Sequence, residues 1–406
     1  MKRKITGFHQ DEKQEWVAEL DCGHRQHVRH TPPWINHPWV QTPEGREQHV
    51  AAALECSECE TRPDSAGSMK VVRIIGERRC ELVERPVPHA SGSLAVVKIL
   101  AAPMCTEHRA YAAGQPTDCL GHEAAGEVVA IAQSGPVRVG ERVVVLPQYP
   151  CGTCFLCRRG DFIHCQHGID VRATTGNVTG TATYAQYLLK PDWLLVPIPD
   201  DLSTHHAALA CCGLGPTFGA MEALRVDAFD TVLITGMGPV GLGGIVNAVF
   251  RGARVFAVES HPYRAGLAKR LGADAVINPQ DEDARAQIRT LTNGIGVDKA
   301  IDCSGAAPAQ RLLLDATRRK GHVAFVGEAG ELTIHVSNDL LRKGLTLHGQ
   351  WHYNMADTPR ILQVIRRSGA LLDDLITHRF PMSRVAEAFD LQQTGNCGKV
   401  ILDPWE

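Results

Sequence analysis

The run Thr231-Val232-Leu233-Ile234-Thr235, followed at once by Gly236-Met237-Gly238-Pro239-Val240-Gly241, constrains this chain's fold more than any other feature. A short β-branched run reads as a buried strand, and the helical stretch after the glycines completes a strand–turn–helix unit. In that setting the G-x-G-x-x-G spacing has a physical meaning. Gly236 permits the tight turn, Gly238 lets the backbone approach a pyrophosphate, and Gly241 lets helix and strand pack closely. The helix start presents free N–H groups and a positive dipole end to phosphates. Glu259 ends the next strand, where a carboxylate accepts from ribose hydroxyls and repels a 2′-phosphate. NAD is therefore the expected coenzyme in preference to NADP, with Arg264 nearby working against that preference.

Strand and helix patterns keep alternating beyond this unit, through Arg254 to Val258, Ala275 to Ile277, Lys299 to Cys303 and Val323 to Val326. Such alternation predicts an α/β architecture with a doubly wound parallel sheet. Before it, short β-branched runs separated by Gly and Pro turns predict a β-rich domain. The expected division is a small Cys/His-rich domain over 1–60, a polar linker over 61–68 and a β-rich domain over 69–214. A coenzyme domain over 215–347 follows, and 348–406 return to the β-rich part. Met69-Lys70-Val71-Val72 reads like a fresh start after the linker, as in a fusion.

The 406 residues carry a net charge of −3, which leaves no general basic field for nucleic acid or acidic membranes. No apolar stretch reaches the ~18–20 residues that span a bilayer, and the residues after Lys2-Arg3-Lys4 form no signal-peptide core, so a cytoplasmic location is expected. Fourteen cysteines at short spacings in a long chain read as metal ligands rather than disulfides. Cys151, Cys154, Cys157 and Cys165 follow C-x2-C-x2-C-x7-C, enough to close a tetrahedron around Zn²⁺; an iron–sulfur cluster or plain reduced thiols are the alternatives. Near the N-terminus, Cys22, His24, Cys56 and Cys59 form a second ligand set, with His27 and His30 as substitutes. A domain of this size gains from a metal staple; a packed Trp/Pro module with incidental histidines is the plainer reading.

Gly121-His122-Glu123, the four-cysteine lobe, Cys212-Gly213 ahead of Phe218-Gly219-Ala220, and Gly236 to Gly241 with Glu259 occur in this order. Together they resemble the medium-chain, zinc-containing alcohol dehydrogenase family from about Met69 onward. That resemblance implies a GroES-like catalytic domain, a Rossmann coenzyme domain and a zinc in the cleft between them. It implies Cys105, His122 and Cys212 as ligands of a catalytic zinc with one open position, and Glu123 beside it. Cys211 competes for the last ligand role, but the spacing to Gly219-Ala220 favours Cys212. The family's first ligand is usually followed by any residue, then Ser or Thr, then an acid, and the hydroxyl relays a proton. Here the run is Cys105-Thr106-Glu107-His108, so the relay falls to Thr106, Glu107 or His108. Lys399 matches a basic position that touches the coenzyme phosphates.

The implied activity is hydride transfer between an alcohol (or an aldehyde or ketone) and NAD(H). Small-molecule substrates and a homodimer or homotetramer go with it. Cys212 stands where polyol dehydrogenases of the family commonly carry Glu, which argues against a sugar alcohol. Two other readings compete: a zinc-free quinone or enoyl reductase of the same superfamily, and a regulatory coenzyme-binding protein that recognises a partner through its N-terminal domain. That N-terminal segment resembles a small bacterial domain of unknown function.

Overall fold

The computed structural model describes residues 2–21, 25–28, 37–56, 67–177, 179–281 and 283–406. The N-terminal part is a four-stranded antiparallel sheet of β1 (Lys2–Gln10), β2 (Trp16–Leu20), β3 (Arg25–His27) and β4 (Ala53–Glu55), in the order β3-β2-β1-β4. Ile5, Ala18, Leu20, Val28, Val40 and Cys56 form its small core. The helix Pro43–His49 closes over it; Trp39 stacks on His49 at 3.9 Å and the Arg46 guanidinium lies 3.8 Å from the Trp16 ring. Of the expected ligands here, Cys22, His24 and Cys59 lie outside the described residues, as does the substitute His30, while Cys56 is fully buried.

The hairpin of β5 (Ser68–Gly76) and β6 (Arg79–Pro86) opens the β-rich part. β7 (Leu94–Pro103), β8 (Ala124–Ala130), β9 (Arg142–Val145), β10 (Tyr187–Pro191) and β11 (Leu195–Pro197) belong to a seven-stranded sheet. Its order is β11-β9-β8-β7-β19-β18, with β10 also on β7. The last two members, β18 (Ile376–Pro381) and β19 (Lys399–Asp403), come from the chain's end, where β19 pairs β7 antiparallel at Leu402–Ala102. This return brings Lys399 beside residues almost three hundred positions earlier.

Between them lies a six-stranded parallel sheet: β12 (Thr231–Thr235), β13 (Arg254–Val258), β14 (Ala275–Ile277), β15 (Val297–Asp302), β16 (Thr317–Phe325) and β17 (Thr346–Gly349). The order β14-β13-β12-β15-β16-β17 reverses direction between β12 and β15. A crevice opens outside the carboxyl ends of the strands at such a switch point. Helices Pro239–Phe250 and Gly215–Leu224 cover one face. A Cβ at Gly243 would sit 1.8 Å from the Gly213 carbonyl, so that close contact requires glycine. Among the described residues no helix is long and apolar enough to cross a membrane.

Candidate active site

The glycine loop sits at the switch point. Gly236 has φ +80°, and a Cβ there would meet Ser304 at 2.7 Å, after β15. A Cβ on Gly241 would lie 2.0 Å from the Gly236 carbonyl, whereas Gly238 has nothing within 4 Å and leaves its surface open to a ligand. Glu259 does more than wait for a ribose. Its Oε2 accepts from Met237 N at 2.9 Å, and Oε1 accepts from Ser260 N and His261 N, both at 2.8 Å. Its charge thus fixes the loop from the next strand. Arg264 lies in the helix Pro262–Arg270 against Cys397, with its Nε buried and unpartnered.

Ligand-type atoms of Cys105, His122, Glu123 and Cys212 all lie within 4.8 Å of one another. Cys105 follows β7, His122 and Glu123 precede β8, and Cys212 lies in the turn before the helix Gly215–Leu224. His122 Nε2 is 3.1 Å from Cys212 Sγ, and His122 Nδ1 is 2.7 Å from Glu107 Oε1. Glu107 Oε2 also accepts from Cys105 N at 3.1 Å and from the Tyr184 hydroxyl at 2.9 Å. Burial alone would raise the Glu107 pKa, but the His122 hydrogen bond and charge outweigh it and hold the carboxyl at about 2. Burial likewise opposes a charged His122, yet Cys105 and Glu107 raise its pKa to about 11. The Cys212 thiol, hydrogen-bonded to Cys105, holds Cys105 well below the usual thiol range while Cys212 itself stays high. Cys211 turns away and donates to the Val145 carbonyl at 3.2 Å.

Two expectations change. Lys399 does not face the coenzyme: it is fully buried, and its Nζ pairs with Glu123 Oε1 at 2.5 Å. Every residue of β19 is buried, and the ammonium compensates a buried carboxylate. Glu107 does not line the cavity that Thr106 faces; its carboxylate hydrogen-bonds His122 Nδ1 at 2.7 Å. Thr106 remains exposed and lines the cavity, while His108 Nδ1 bonds the Cys105 carbonyl at 3.0 Å.

A cavity of about 370 Å³ joins both halves. Cys105, Thr106, His122 and Cys212 line one wall, and Val240, Cys303, Ser304 and Gly327 from the switch point line the other. Sequence reading missed Arg109, Gln148, Trp351 and His352, which line it too. His352 is buried in a left-handed conformation, φ +55°. Gln350 Nε2 holds its carbonyl at 2.6 Å, and Gly219 makes room for that carbonyl, which a Cβ would approach to 2.2 Å. The imposed turn leaves His352 Nε2 3.7 Å from Cys212 Sγ and Nδ1 without a partner. Burial, then the nearby His122, lowers its pKa to about 3, so the ring is neutral. A left-handed histidine leaves no signature in sequence.

The second cysteine set forms a separate lobe. Sγ separations are 3.6 Å for Cys151–Cys165, 3.5 Å for Cys154–Cys157, 3.8 Å for Cys154–Cys165 and 4.0 Å for Cys151–Cys157. Sulfurs bound about 2.3 Å from one tetrahedral centre stand about 3.8 Å apart, so the spacing fits zinc and exceeds any disulfide. Thr153 and the Cys154 N–H bring Cys151 down to about 5, and burial pushes Cys157 up to about 12.

The switch-point cleft and the sulfur–imidazole cluster define a metal-dependent dehydrogenase that uses a nicotinamide dinucleotide. Residues 91–200 match the alcohol dehydrogenase GroES-like domain and 239–367 the zinc-binding dehydrogenase model, while 6–62 match a protein of unknown function, DUF3565. An L-threonine 3-dehydrogenase of Pyrococcus horikoshii is 34% identical over 339 residues, covering 79% of this chain and 94% of that protein. An uncharacterised zinc-type alcohol dehydrogenase-like protein of Escherichia coli K12 is 31% identical, covering 83% and 99%. The solved alcohol dehydrogenase of Thermus sp. ATN1 superposes with a TM-score of 0.74 at 26% identity, over 82% of this chain and 99% of that one. The chain belongs to the zinc-containing medium-chain alcohol dehydrogenase family, and is a zinc-type oxidoreductase of CH–OH groups.

Proposed function

We propose that Cys105, His122 and Cys212 hold a catalytic zinc, with Glu123 as its buried neighbouring carboxylate, and that the four-cysteine lobe holds a structural one. The observation carrying this reading is the shared cavity: three ligand side chains from distant segments line the same space as the glycine-loop switch point. Two thiols and an imidazole suit zinc, and three protein ligands leave a position open. Zinc, when bound, supplies Lewis-acid polarisation of a hydroxyl or carbonyl oxygen. The chain supplies the rest. Glu107 fixes the His122 ring through Nδ1, so that Nε2 faces the cluster. Gly236, Gly238 and Gly241 with the helix start at Pro239 bind the pyrophosphate, and Glu259 favours NAD by repelling a 2′-phosphate, while Arg264 flanks it. Thr106, exposed in the cavity beside Cys105, is placed to carry a substrate proton toward solvent.

The substrate is read as a small alcohol bearing an anionic group. Arg109 lines the cavity, and its guanidinium has no carboxylate partner among the described residues. Two relatives carry names of such substrates, L-threonine 3-dehydrogenase and D-arabitol-phosphate dehydrogenase. β17 lies at the sheet edge, where a second copy can pair, in keeping with a homodimer or homotetramer. The test is Cys212→Ser with Arg109→Gln. Cys212→Ser abolishes turnover of every alcohol while NADH still binds. Arg109→Gln lowers kcat/KM for anionic alcohols at least about tenfold and spares neutral ones. Turnover by Cys212→Ser overturns the ligand assignment, and an equal loss on neutral and anionic alcohols overturns the substrate class.

A further inference from the structure

A second concavity, about 540 Å³, lies at the opposite end of the parallel sheet, where β15 and β16 begin. Gly296 and Ala316 form its floor, whereas the coenzyme loop follows the carboxyl end of β12. A strand of β15's length separates the two by roughly 20 Å. Arg285, Arg289, Arg318, Arg319, Arg342 and Lys343 line it, against Asp315 and Asp339. In a chain of net charge −3, this is a local reversal of sign.

How these cations are held matters more than their number. Both acids are already engaged by Arg311, which reaches Asp315 at 2.6 Å and Asp339 at 2.8 Å. Of the six lining cations, Arg318 alone pairs with a carboxylate, Asp298, among the described residues. Arg319 donates to the Arg342 carbonyl at 2.8 Å, Arg342 to the Asn338 amide oxygen at 2.9 Å, and Lys343 to the carbonyls of Leu314 and Asp315. Those acceptors fix the side chains without cancelling their charge. Arg285 and Arg289 are exposed on the helix Ala284–Leu291, and their guanidinium groups have no hydrogen-bond or ion-pair partner among the described residues. Burial brings Lys343 down to about 8; Asp315 and Asp339 oppose the shift, and Arg285 and Arg311 add to it.

We infer that this concavity is an accessory site for a small molecule carrying two adjacent phosphoryl groups, separate from the coenzyme cleft. Guanidinium forks match tetrahedral oxyanions bidentately, and the volume falls in the range of small-ligand sites. The concave shape and the chain's negative net charge favour a metabolite over a nucleic acid.

Titration calorimetry of the full zinc-loaded chain with inorganic pyrophosphate, in saturating NADH, tests the assignment. NADH blocks the coenzyme pyrophosphate site, and the part of the saturable binding that depends on Arg285 and Arg289 reports the second concavity rather than pyrophosphate on zinc. The double variant Arg285→Glu/Arg289→Glu is expected to weaken pyrophosphate at least about tenfold, with NADH affinity and basal turnover unchanged. Absence of saturable binding at millimolar pyrophosphate overturns the inference, as does equal binding by wild type and variant. Citrate binding more tightly than pyrophosphate overturns the phosphoryl class.

Discussion

Glu107→Gln isolates the link between the scaffold and the proposed zinc. The carboxylate accepts from three donors at once: His122 Nδ1, Cys105 N and the Tyr184 hydroxyl. An amide oxygen can keep His122, and the tyrosine hydroxyl can reverse to accept from the new NH₂, but Cys105 N–H then faces a donor. One orphaned buried N–H costs about 1–3 kcal/mol. Holding the carboxyl at about 2 against an ordinary 4.5 corresponds to about 3 kcal/mol of preference for its charged form, which the amide forfeits. The neutral amide holds His122 Nδ1–H less strongly than the carboxylate did, so the ring's orientation loosens and zinc affinity falls about 10–100-fold, the usual cost of altering such a partner. Competition against a chromophoric chelator measures it. The pH dependence supplies an independent check. A depressed carboxyl contributes stability that is present above its unfolded value and is lost as pH falls through the folded one. The stability gap between wild-type and Glu107→Gln apoprotein should therefore be widest between about pH 4.5 and 6.5, close toward pH 2, and narrow again as pH rises toward 11 and His122 loses the charge it shares with Glu107. Zinc affinity within twofold of wild type, with no pH-dependent gap, would show that Glu107 does not orient His122.

Lys399→Met leaves Glu123 buried without its partner and should destabilise the protein by about 3–5 kcal/mol in chemical denaturation, while Lys399→Met/Glu123→Leu recovers most of that loss. If NAD affinity falls and stability does not, Lys399 acts at the coenzyme after all. Cys154→Ser should remove one zinc per chain and lower Tm, because the four sulfurs close a single centre; unchanged zinc content and Tm contradict that reading.

Local features were the most legible in sequence. The glycine loop implied a doubly wound sheet, and the strand order with its reversal between β12 and β15 bears that out. The four-cysteine spacing pointed to one lobe because its ligands share one short loop. Glu107 was visible in Cys105-Thr106-Glu107-His108, but its role depends on His122 Nδ1, placed by a different loop, so spacing offered no measure of it. Lys399 failed for another reason. β19 is buried on both faces, so no alternation told which neighbour its side chain meets. His352 and Arg109 reach the cavity only through tertiary packing, the first through a turn that Gly219 and Gln350 impose from outside its own segment.

Anomalous diffraction at the zinc edge, from crystals grown with NADH, locates the metals against the coenzyme. One zinc is expected bonded to Cys105, His122 and Cys212 with the nicotinamide ring in the same cavity, and another among Cys151, Cys154, Cys157 and Cys165. A nicotinamide ring bound at the switch point with no metal signal among Cys105, His122 and Cys212 contradicts that assignment.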